Sequence, residues 1–533
     1  MKKPWLRFEL TNKQYWWGIG GVLLLAAVLR FYQLGQVPHG MTWDEAAIGY
    51  NGFAIFTTRR DEWLTRLPVS FWSFGDYKAP LAIYVNGLFT AVFGMTLWAV
   101  RVPFALSGVG VVLGMIYLTR VVFEQTTEKP GRIRFLSLVA GLLIALSPWH
   151  LHFSRIGFES GMALLFYIWG GYFFLKALTV GKQWRVTVDF LLSVMSFVAS
   201  VYTYHSAKIA APLFVFWLVI RYRRQAFKYW QNFGLVTVAG LLALRPLIAD
   251  SFYGKGLERA GTLIVSQGYS VAKTIQIFLA QFATHFSASF LLLGETTTLR
   301  HGDGRWGVLL PTTLVLVLLA AVFGWRKKQL LQPFWFGIWL VLIGILPAAL
   351  AIEGPHSNRA LLALPGFLLL AIVGLRWLIT NRWADEWKKM VIGGLVLLHG
   401  LFFVSYLYHY YTLFAAQSAA DFQDGYLAAF RFALPYERGE EGKREVDKII
   451  FTSDYGQPYI YALFVRQTNP IWYQGGSLAK YEFKDEVTIG DLERENTLVV
   501  ASNQDDLLGA GTKADKVING SDGSPRFRIY LPK

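Results

Sequence analysis

The sequence contains no cysteine among its 533 residues and is poor in charged side chains. The absence of cysteine excludes disulfide bonds and thiolate metal sites, so the compartment has to be argued from topology. Charged residues make up 16% of the chain, whereas soluble proteins contain about 25%. Because hydrophobic residues make up 54%, the shortage of charge indicates a chain that faces lipid.

Long apolar runs recur along the chain, and several approach the roughly 20 residues that a helix needs to cross a bilayer. Examples are Trp16–Leu29 with its flanks, Phe135–Leu146 and Leu309–Phe323. The first follows a basic start but lacks a small-residue cleavage pattern and is followed by an arginine, so we predict a retained span and not a signal peptide. The repetition predicts an all-α polytopic membrane protein.

Much of the net charge of +16 lies in short segments between the apolar runs. This is the positive-inside pattern of cytoplasmic loops, so it indicates no nucleic-acid partner. The basic clusters lie at residues 2–7, 120–134, 182–185, 221–228, 326–328 and 382–389. Each neighbouring pair needs an even number of spans between them, which holds if residues 80–93 form an interfacial amphipathic helix. The pattern then predicts about eleven spans and a cytoplasmic amino terminus.

The predicted topology divides the chain into two domains. The spans lie at about residues 15–33, 101–119, 134–152, 158–178, 187–203, 208–220, 231–250, 305–324, 334–352, 360–378 and 390–411. After the last predicted span, the tail is expected to lie on the extracytoplasmic side of the cell membrane. In the tail, short β-branched or aromatic runs at 448–452, 497–501 and 527–531 alternate with turn signals. A transmembrane domain over 1–412 and a small soluble α/β domain over 413–533 are predicted.

Residues able to do chemistry gather in the predicted outer loops, at about 33–100, 149–158, 202–208, 250–304 and 353–359. The first loop carries the adjacent carboxylates Asp44 and Glu45 and, about thirty residues later, Asp76, Tyr77 and Lys78. The other candidates, in these loops, at their edges or in the run at 231–250, are Arg155, Glu159, Tyr204, His205, Lys208, Arg245, His356 and Arg359. One acidic site with several cations on one side indicates an anionic substrate and a carboxylate base.

Structural alternatives exist for the charged candidates. Asp44 and Glu45 also fit the first turn of a loop helix, where carboxylates are favoured. Lys78 and Arg359 also fit cations that extend to lipid headgroups. The sequence leaves both interpretations open.

The remaining candidates have structural alternatives of their own. His205 and His356 fit hydrogen-bonding residues better than metal ligands. Arg155 lies at a span boundary, where ionisable groups tend to be functional, but an ion pair with Glu159 is its alternative. Arg245, before a proline in an apolar run, has the same ambiguity.

Four short motifs follow one another over about sixty residues of the first outer loop and its end. They are Trp43-Asp44-Glu45, Asp76-Tyr77-Lys78-Ala79-Pro80-Leu81, Phe93-Gly94 and Arg101-Val102-Pro103. Their order resembles the amino-terminal signature of the GT-C glycosyltransferases. Among these, the dolichyl-phosphate-mannose protein mannosyltransferases and the bacterial aminoarabinose transferases are the most similar.

Further positions extend the resemblance over roughly the first 380 residues. Ser154-Arg155, Asn358-Arg359-Ala360 and Leu364-Pro365 resemble family positions. The chain has Ala47 and Tyr77 where the aminoarabinose type carries an arginine and commonly an acidic residue. These departures argue against equating the chain with a lipid A modifier.

The resemblance implies a membrane glycosyltransferase that takes a sugar from a polyprenyl-phosphate carrier and transfers it, with inversion, to a hydroxyl of a protein, lipid or glycan. It implies Asp44 as the general base, with Glu45 orienting it or the acceptor. Lys78 and Arg359, with Arg155 as a further candidate, would bind the leaving phosphate.

Other functions and a metal remain as alternatives. Asp44, Glu45 and Asp76 offer oxygen ligands suited to Mg²⁺ or Mn²⁺, although a lipid monophosphate leaving group demands no metal. A polytopic transporter or lipid flippase would also be helical with buried charges, but the internal repeats typical of transporters are not evident in the sequence. A scaffold protein gives no reason for acids and cations to gather on one side. Membrane lipids are predicted partners in every case.

Overall fold

The computed structural model describes residues 8–179, 181–253, 261–294, 296–474, 476, 478–505 and 513–532. The basic cluster predicted at residues 2–7 therefore lies outside the described residues. The described chain is mainly helical and has one small sheet in its carboxy-terminal part.

The helices and strands are numbered in chain order. The helices are α1 (Asn12–Phe31), α2 (Trp43–Thr58), α3 (Pro80–Phe93), α4 (Leu97–Glu124), α5 (Pro130–Ala145), α6 (Pro148–Phe153), α7 (Glu159–Ala177), α8 (Gln183–Thr203), α9 (His205–Arg221), α10 (Arg223–Lys228), α11 (Trp230–Tyr253), α12 (Val271–Thr284), α13 (Pro311–Leu319), α14 (Leu331–Ala349), α15 (Ser357–Ala360), α16 (Leu364–Thr380), α17 (Asp385–Tyr411), α18 (Leu413–Gln417), α19 (Tyr426–Arg438), α20 (Pro458–Arg466), α21 (Pro470–Gln474) and α22 (Ile489–Leu492). The strands are β1 (Phe71–Ser73), β2 (Asp76–Lys78), β3 (Lys448–Thr452), β4 (Tyr481–Lys484), β5 (Thr497–Ser502), β6 (Lys516–Asn519) and β7 (Pro525–Tyr530).

Each of the eleven stretches predicted to cross the membrane contains a helix. Among the described residues, seven helices are long and apolar enough to span a bilayer by length and composition. They are Asn12–Phe31, Leu97–Glu124, Gln183–Thr203, Trp230–Phe252, Lys328–Ala349, Ser357–Thr380 and Asp385–Gln417. The prediction of an all-α polytopic membrane protein is confirmed, whereas the side that each loop faces stays a prediction.

The helix predicted at 134–152 is broken. Helix α5 ends at Ala145, and α6 begins at Pro148 after the cap residue Ser147. Proline cannot donate a backbone hydrogen bond and is favoured in the first turn of a helix, so it starts a new helix here.

The chain forms two compact units, and the first comprises residues 1–32 and 104–408. Small residues allow its helices to approach closely, as is common in membrane proteins. A Cβ added to Gly374 of α16 would come within 1.9 Å of the Leu316 carbonyl oxygen in α13. One added to Gly344 of α14 would come within 2.3 Å of the Ala363 nitrogen. These glycines are therefore needed for the packing of the first unit.

The second unit comprises residues 33–103 and 409–533, so it contains most of the predicted first outer loop together with the tail. The tail sheet has the order β4-β3-β5-β7-β6, in which β4, β3 and β5 are parallel to one another and β7 runs antiparallel to both of its neighbours, β5 and β6. The strands predicted at 448–452, 497–501 and 527–531 correspond to β3, β5 and β7, so the small α/β tail is confirmed. The domain boundary at 412/413 stays a prediction.

The tail packs directly against α2, the helix that begins with the predicted catalytic carboxylates. The Tyr461 hydroxyl donates to the Met41 carbonyl oxygen at 2.8 Å, and the Tyr50 hydroxyl donates to the Thr468 carbonyl oxygen at 2.8 Å. A Cβ added to Gly49 would come within 2.8 Å of the Phe464 ring. The tail and the first loop thus share one hydrophobic core, which holds α2 in place.

Candidate active site

Helix α2 begins with a reciprocal cap that fixes the predicted carboxylates. The Thr42 hydroxyl accepts a hydrogen bond from the Glu45 backbone nitrogen at 3.1 Å, and the Glu45 carboxylate accepts one from the Thr42 nitrogen at 3.0 Å. This capping box satisfies backbone donors at the start of the helix. Asp44 is the second residue of α2, so its carboxylate lies at the positive end of the helix dipole.

Glu45 is fully engaged in a buried ion pair with Arg101. Arg101 Nε and Nη2 donate to the two carboxylate oxygens at 2.7 and 3.1 Å. Arg101 also donates to the carbonyl oxygens of Leu34, Pro38 and Gly40 at 3.2, 2.8 and 3.0 Å. These bonds use all five N–H groups of the guanidinium. Glu45 therefore positions α2 and the preceding loop, and both of its oxygens are occupied.

A β-hairpin places Lys78 next to the start of α2. Strands β1 and β2 pair antiparallel, with Phe71 opposite Lys78. The turn residues Phe74 and Gly75 have φ angles of +56° and +75°, the pattern of a type I′ hairpin turn. A left-handed conformation is unfavourable for phenylalanine. The Phe74 ring packs edge-on against Trp43 and Tyr459, with centroids 6.4 and 6.0 Å away, which stabilises this conformation.

The hairpin brings two predicted site residues together. Lys78 and Asp44 form an ion pair. The side chains are 9% and 21% exposed, respectively, so the pair is shielded and the carboxylate retains access to solvent. The ammonium also lies 5.9 Å from the centre of the Phe74 ring. An adjacent cation favours the ionised carboxylate. The arrangement can accept a proton and bind an anion at one place.

Asp76 and Tyr77 lie on the same hairpin, and the Asp76 carboxylate accepts a hydrogen bond from the Tyr77 nitrogen at 2.8 Å. Within the described ranges, no group of three or more histidine or acidic side chains is placed to hold a metal ion. Lys78 and Arg101 already neutralise Asp44 and Glu45. The Mg²⁺ or Mn²⁺ alternative stays a prediction.

In the first unit, Arg155 is buried and binds the end of α1. Its Nη1 donates to the carbonyl oxygens of Leu29 and Arg30 at 2.9 and 3.1 Å. Carbonyl groups at a helix carboxyl end lack helical partners, and a cation satisfies them. These contacts favour a structural role for Arg155, and phosphate binding by this residue stays a prediction.

The other candidates of the first unit differ in exposure. Glu159 opens α7 and is buried, and buried Tyr204 comes directly before His205, the first residue of α9. Lys208 lies one turn into α9 and is half-buried, whereas Arg245 is exposed on α11. Their chemical roles stay predictions.

A cavity of about 670 Å³ in the first unit is lined in part by residues of three predicted outer loops. His356 lies in its wall with His301, and the two ring centroids are 4.4 Å apart. The His356 nitrogen donates to the buried ring of His285 at 3.2 Å. Arg359 follows in the one-turn helix α15 and is half-buried. His356 thus lies with residues of two other predicted outer loops, and the roles of His356 and Arg359 stay predictions.

The sequence matches no family model. It is 25% identical over 228 residues to a Bacillus subtilis (strain 168) protein described as a candidate mannosyltransferase, YycA. This match covers 42% of the chain and 30% of the relative, so less than two thirds of the relative is spanned. The structure superposes on ArnT from Cupriavidus metallidurans bound to undecaprenyl phosphate with a TM-score of 0.55 and 11% identity, covering 98% of this chain and 100% of ArnT. The chain has the GT-C fold.

A second GT-C structure agrees with this assignment. The oligosaccharyltransferase of Archaeoglobus fulgidus in its apo form gives a TM-score of 0.50 at 14% identity, covering 87% of this chain and 64% of that enzyme. The resemblance inferred from the first-loop motifs is thus confirmed at the level of the fold. At these identities the likeness establishes architecture, and the activity has to be argued from the site.

The GT-C chain also contains a buried acid that the sequence analysis missed. Glu62 is fully buried, and its Oε1 accepts hydrogen bonds from Asn51 of α2 at 3.1 Å and from Ser73 of β1 at 3.4 Å. Its backbone oxygen accepts one from Gln474 of the tail at 2.7 Å. It therefore joins α2, the hairpin and the tail. In sequence it follows exposed arginines and resembles a solvated charge run, so no pattern marks it.

Burial raises the pKa of the Glu62 carboxyl to about 7, because desolvation disfavours the charge and outweighs the hydrogen bond from Asn51. Nearby Asp61 raises the pKa further, and the Tyr459 hydroxyl interacts with the carboxyl from the tail side. Folding therefore favours the protonated form of Glu62 relative to the unfolded chain.

The unfolding temperature is expected to depend on pH through Glu62. Since the pKa is raised from 4.5 to about 7 on folding, the stabilisation is complete below about pH 4.5 and is lost as the pH rises through about 7. Glu62→Gln, which cannot ionise, is expected to unfold several degrees above the wild type at about pH 8.5, and the gap is expected to shrink at about pH 5. The measurement is thermal unfolding in detergent. Glu495→Gln, which removes an exposed carboxylate of the same unit, is the control, and an equal gap at both pH values contradicts the assignment.

Proposed function

We propose that the chain is a membrane glycosyltransferase that moves a sugar from a polyprenyl-phosphate-linked donor to an acceptor hydroxyl on the extracytoplasmic side of the cell membrane. The observation that carries the proposal is the ion pair between Asp44, at the start of α2, and Lys78 of the hairpin, in which both side chains are largely buried. The GT-C fold and the sequence match to a candidate mannosyltransferase support a glycosyltransferase. The sugar, whether hexose or pentose, is left open.

The two side chains supply the elements of a single displacement. The Asp44 carboxylate takes the proton of the acceptor hydroxyl as its oxygen attacks the anomeric carbon. The bond from that carbon to the phosphate oxygen breaks, and the polyprenyl phosphate leaves with the electron pair. The Lys78 ammonium stabilises the charge that grows on the phosphate. Attack from the face opposite the leaving group inverts the configuration.

Neighbouring residues keep the pair in position. Glu45 and Arg101 fix the first turn of α2 through five guanidinium hydrogen bonds, and the Phe74 turn fixes the hairpin that carries Lys78. Preorganised charges act most strongly because they do not reorient during the reaction. Glu45 is accordingly proposed as a positioning residue. The role of Arg359 of the first unit in phosphate binding stays a prediction.

Polyprenyl phosphate is proposed as the carrier because of the chemistry of Lys78 and because of the fold. A single ammonium suits a phosphate monoester leaving group, which carries little charge compared with a nucleoside diphosphate. The related ArnT structure holds undecaprenyl phosphate, which supports the same class of carrier for this chain. The acceptor, a protein, lipid or glycan, is left open.

Sugar transfer by the purified chain is the direct test of the proposal. The full chain in detergent, given polyprenyl-phosphate-linked mannose, glucose or a pentose together with a cell-envelope extract as acceptor, is expected to release polyprenyl phosphate and to label an acceptor fraction. A transporter or flippase moves its substrate across a bilayer and leaves the bond intact, so detergent solution separates the two functions. Intact donor in every combination contradicts the proposal.

The absence of native cysteine allows the proposed orientation to be tested in the same preparation. A single cysteine at exposed Arg66 in the first loop is expected to react with an impermeant maleimide added outside intact cells, and one at exposed Arg224 in α10 is expected to react only after lysis. Labelling with the opposite preference places Asp44 on the cytoplasmic side and overturns the proposed site.

A further inference from the structure

A second cavity, of about 510 Å³, lies within the second unit and has no part in the proposed chemistry. Its walls come from three segments: residues 35–41 before α2, residues 96–98 at the start of α4, and residues 423–431 of the tail. The first loop and the tail therefore build it jointly. Because the first loop and the tail were predicted to belong to separate domains, this cavity was not predicted from the sequence.

The walls of this cavity are held by close contacts. Gly40 has a φ angle of +81°, and a Cβ at this position would come within 2.4 Å of the Phe422 carbonyl oxygen and 2.8 Å of the Asp424 Cα. Arg101 fixes the same loop through the carbonyl oxygens of Pro38 and Gly40. A shape defined by backbone contacts is suited to bind a ligand without rearrangement.

The side chains of the cavity favour a neutral, polar ligand. Asp424 and Arg431 contribute one charge of each sign, and burial lowers the pKa of His39, which favours its uncharged form. A phosphate group would require an excess of cations, and a lipid chain would require apolar walls. The amides of Gln36 and Gln423 add both donors and acceptors. This combination suits a ligand that carries several hydroxyl groups.

Trp98 adds an apolar platform to these polar groups. Its side chain is 40% exposed, yet its position is fixed, because the Phe93 ring packs edge-on at 5.3 Å and Gly35 lies against its Cβ. An aromatic ring that is held in place and partly exposed is suited to pack against the C–H face of a sugar ring. Asp424 is oriented as well, since its Oδ2 accepts hydrogen bonds from the Ser521 nitrogen and hydroxyl at 2.8 and 2.6 Å. Its Oδ1 is the oxygen that would accept from a sugar hydroxyl.

We propose that this cavity is a saccharide-binding site that holds sugar residues of the acceptor. Saccharide binding follows from the cavity itself, whereas the identity of the saccharide as the acceptor rests on the proposed transferase function. The loop that lines the cavity is joined through Arg101 to Glu45, the neighbour of Asp44. An acceptor held here would therefore rest on the same rigid segment that carries the proposed base.

Saturation-transfer NMR on the full chain in detergent tests the binding. The probes are neutral tri- and tetrasaccharides that contain mannose, glucose or galactose, at millimolar concentration. We expect transfer to at least one of them, with a severalfold smaller signal in Trp98→Ala and in Asp424→Asn. Trp98→Phe, which keeps an aromatic face, is expected to retain most of the signal. Trp472→Ala, which removes a tryptophan that is 69% exposed and outside the cavity, is the matched control.

The outcomes separate this inference from the proposed function. If the chain transfers sugar, Trp98→Ala is expected to raise the KM for a glycan acceptor severalfold while kcat changes by less than about twofold, the pattern of lost uniform binding. If no transfer is found but Trp98→Ala loses saccharide binding, the transferase proposal fails and the saccharide site stands. No signal from the wild type, or equal signals from the wild type and a Trp98→Ala protein of unchanged unfolding temperature, overturns the site.

Discussion

Replacement of Asp44 by asparagine is expected to lower sugar transfer by about 10²- to 10⁴-fold, the contribution typical of a positioned general base. Asparagine preserves the shape and a side-chain oxygen, so it still accepts a hydrogen bond from Lys78, but it cannot take a proton from the acceptor. The loss should therefore fall on kcat, and donor binding should change little. Single-turnover transfer and equilibrium binding of the labelled donor measure the two effects.

Asp76→Asn is the matched control for this substitution. It removes the same charge from the hairpin strand that carries Lys78, and its carboxylate accepts a bond from the neighbouring Tyr77 nitrogen. We expect its transfer rate to stay within about threefold of the wild type, far from the loss of a base. Equal losses in Asp44→Asn and Asp76→Asn would indicate a general effect of charge, and wild-type turnover in Asp44→Asn would remove Asp44 from the role of base.

Lys78→Met separates phosphate binding from proton transfer at the same site. The methionine keeps the apolar length of the side chain and leaves Asp44 without its cation. In the proposed mechanism this weakens both the donor complex and the stabilisation of the leaving phosphate, whereas Asp44→Asn spares donor binding. The two variants should therefore have different kinetic signatures even if both are nearly inactive.

The helices were predictable from sequence because each is decided locally. A run of apolar residues long enough to cross a bilayer forms a helix wherever it lies, since backbone groups in lipid must be bonded within the segment. The strands β3, β5 and β7 follow equally local signals, whereas the break at Pro148 was missed, because the apolar run at 134–152 was predicted as one span. The orientation of the spans depends on the membrane, so it is still a prediction from charge.

The site was predictable only in part, because its geometry comes from contacts between distant residues. Asp44 and Lys78 were found through their motifs, and the hairpin brings them together across 34 positions. The role of Arg101 was missed although it stands in a recognised motif, since nothing in the sequence pairs it with Glu45, 56 residues away. For Arg155 the partners are backbone carbonyl groups, which leave no mark in a sequence.

The contacts of the tail with the first loop were even harder to predict from the sequence. Tyr50 of the first loop and Thr468 of the tail are 418 positions apart, yet the Tyr50 hydroxyl bonds to the Thr468 backbone. Composition alone described residues 413–533 as a separate soluble domain. Because the tail completes the core under α2 and one wall of the 510 Å³ cavity, we expect it to act on the Asp44 site as well as on acceptor recognition.

Arg101→Met is expected to destabilise the second unit strongly. It leaves the Glu45 carboxylate buried without its cation and frees the carbonyl oxygens of Leu34, Pro38 and Gly40. Breaking a buried pair by removing one partner typically costs about 3–5 kcal/mol. The unfolding temperature in detergent should fall strongly, and transfer should be lost because α2 is no longer fixed. Arg101→Lys should recover little, because an ammonium cannot reproduce the planar fork.

A double substitution distinguishes a broken ion pair from lost packing. In Arg101→Met/Glu45→Met neither member of the pair remains as an unpaired buried charge, so the double variant is expected to unfold at a higher temperature than Arg101→Met alone, although the capping bond to Thr42 is also lost. Transfer activity should not recover together with stability, because the loop and the start of α2 still lack the hydrogen bonds of Arg101. A double variant less stable than Arg101→Met would show that the Glu45 carboxylate contributes mainly through its cap, and the pair would then not be what holds Asp44 in place.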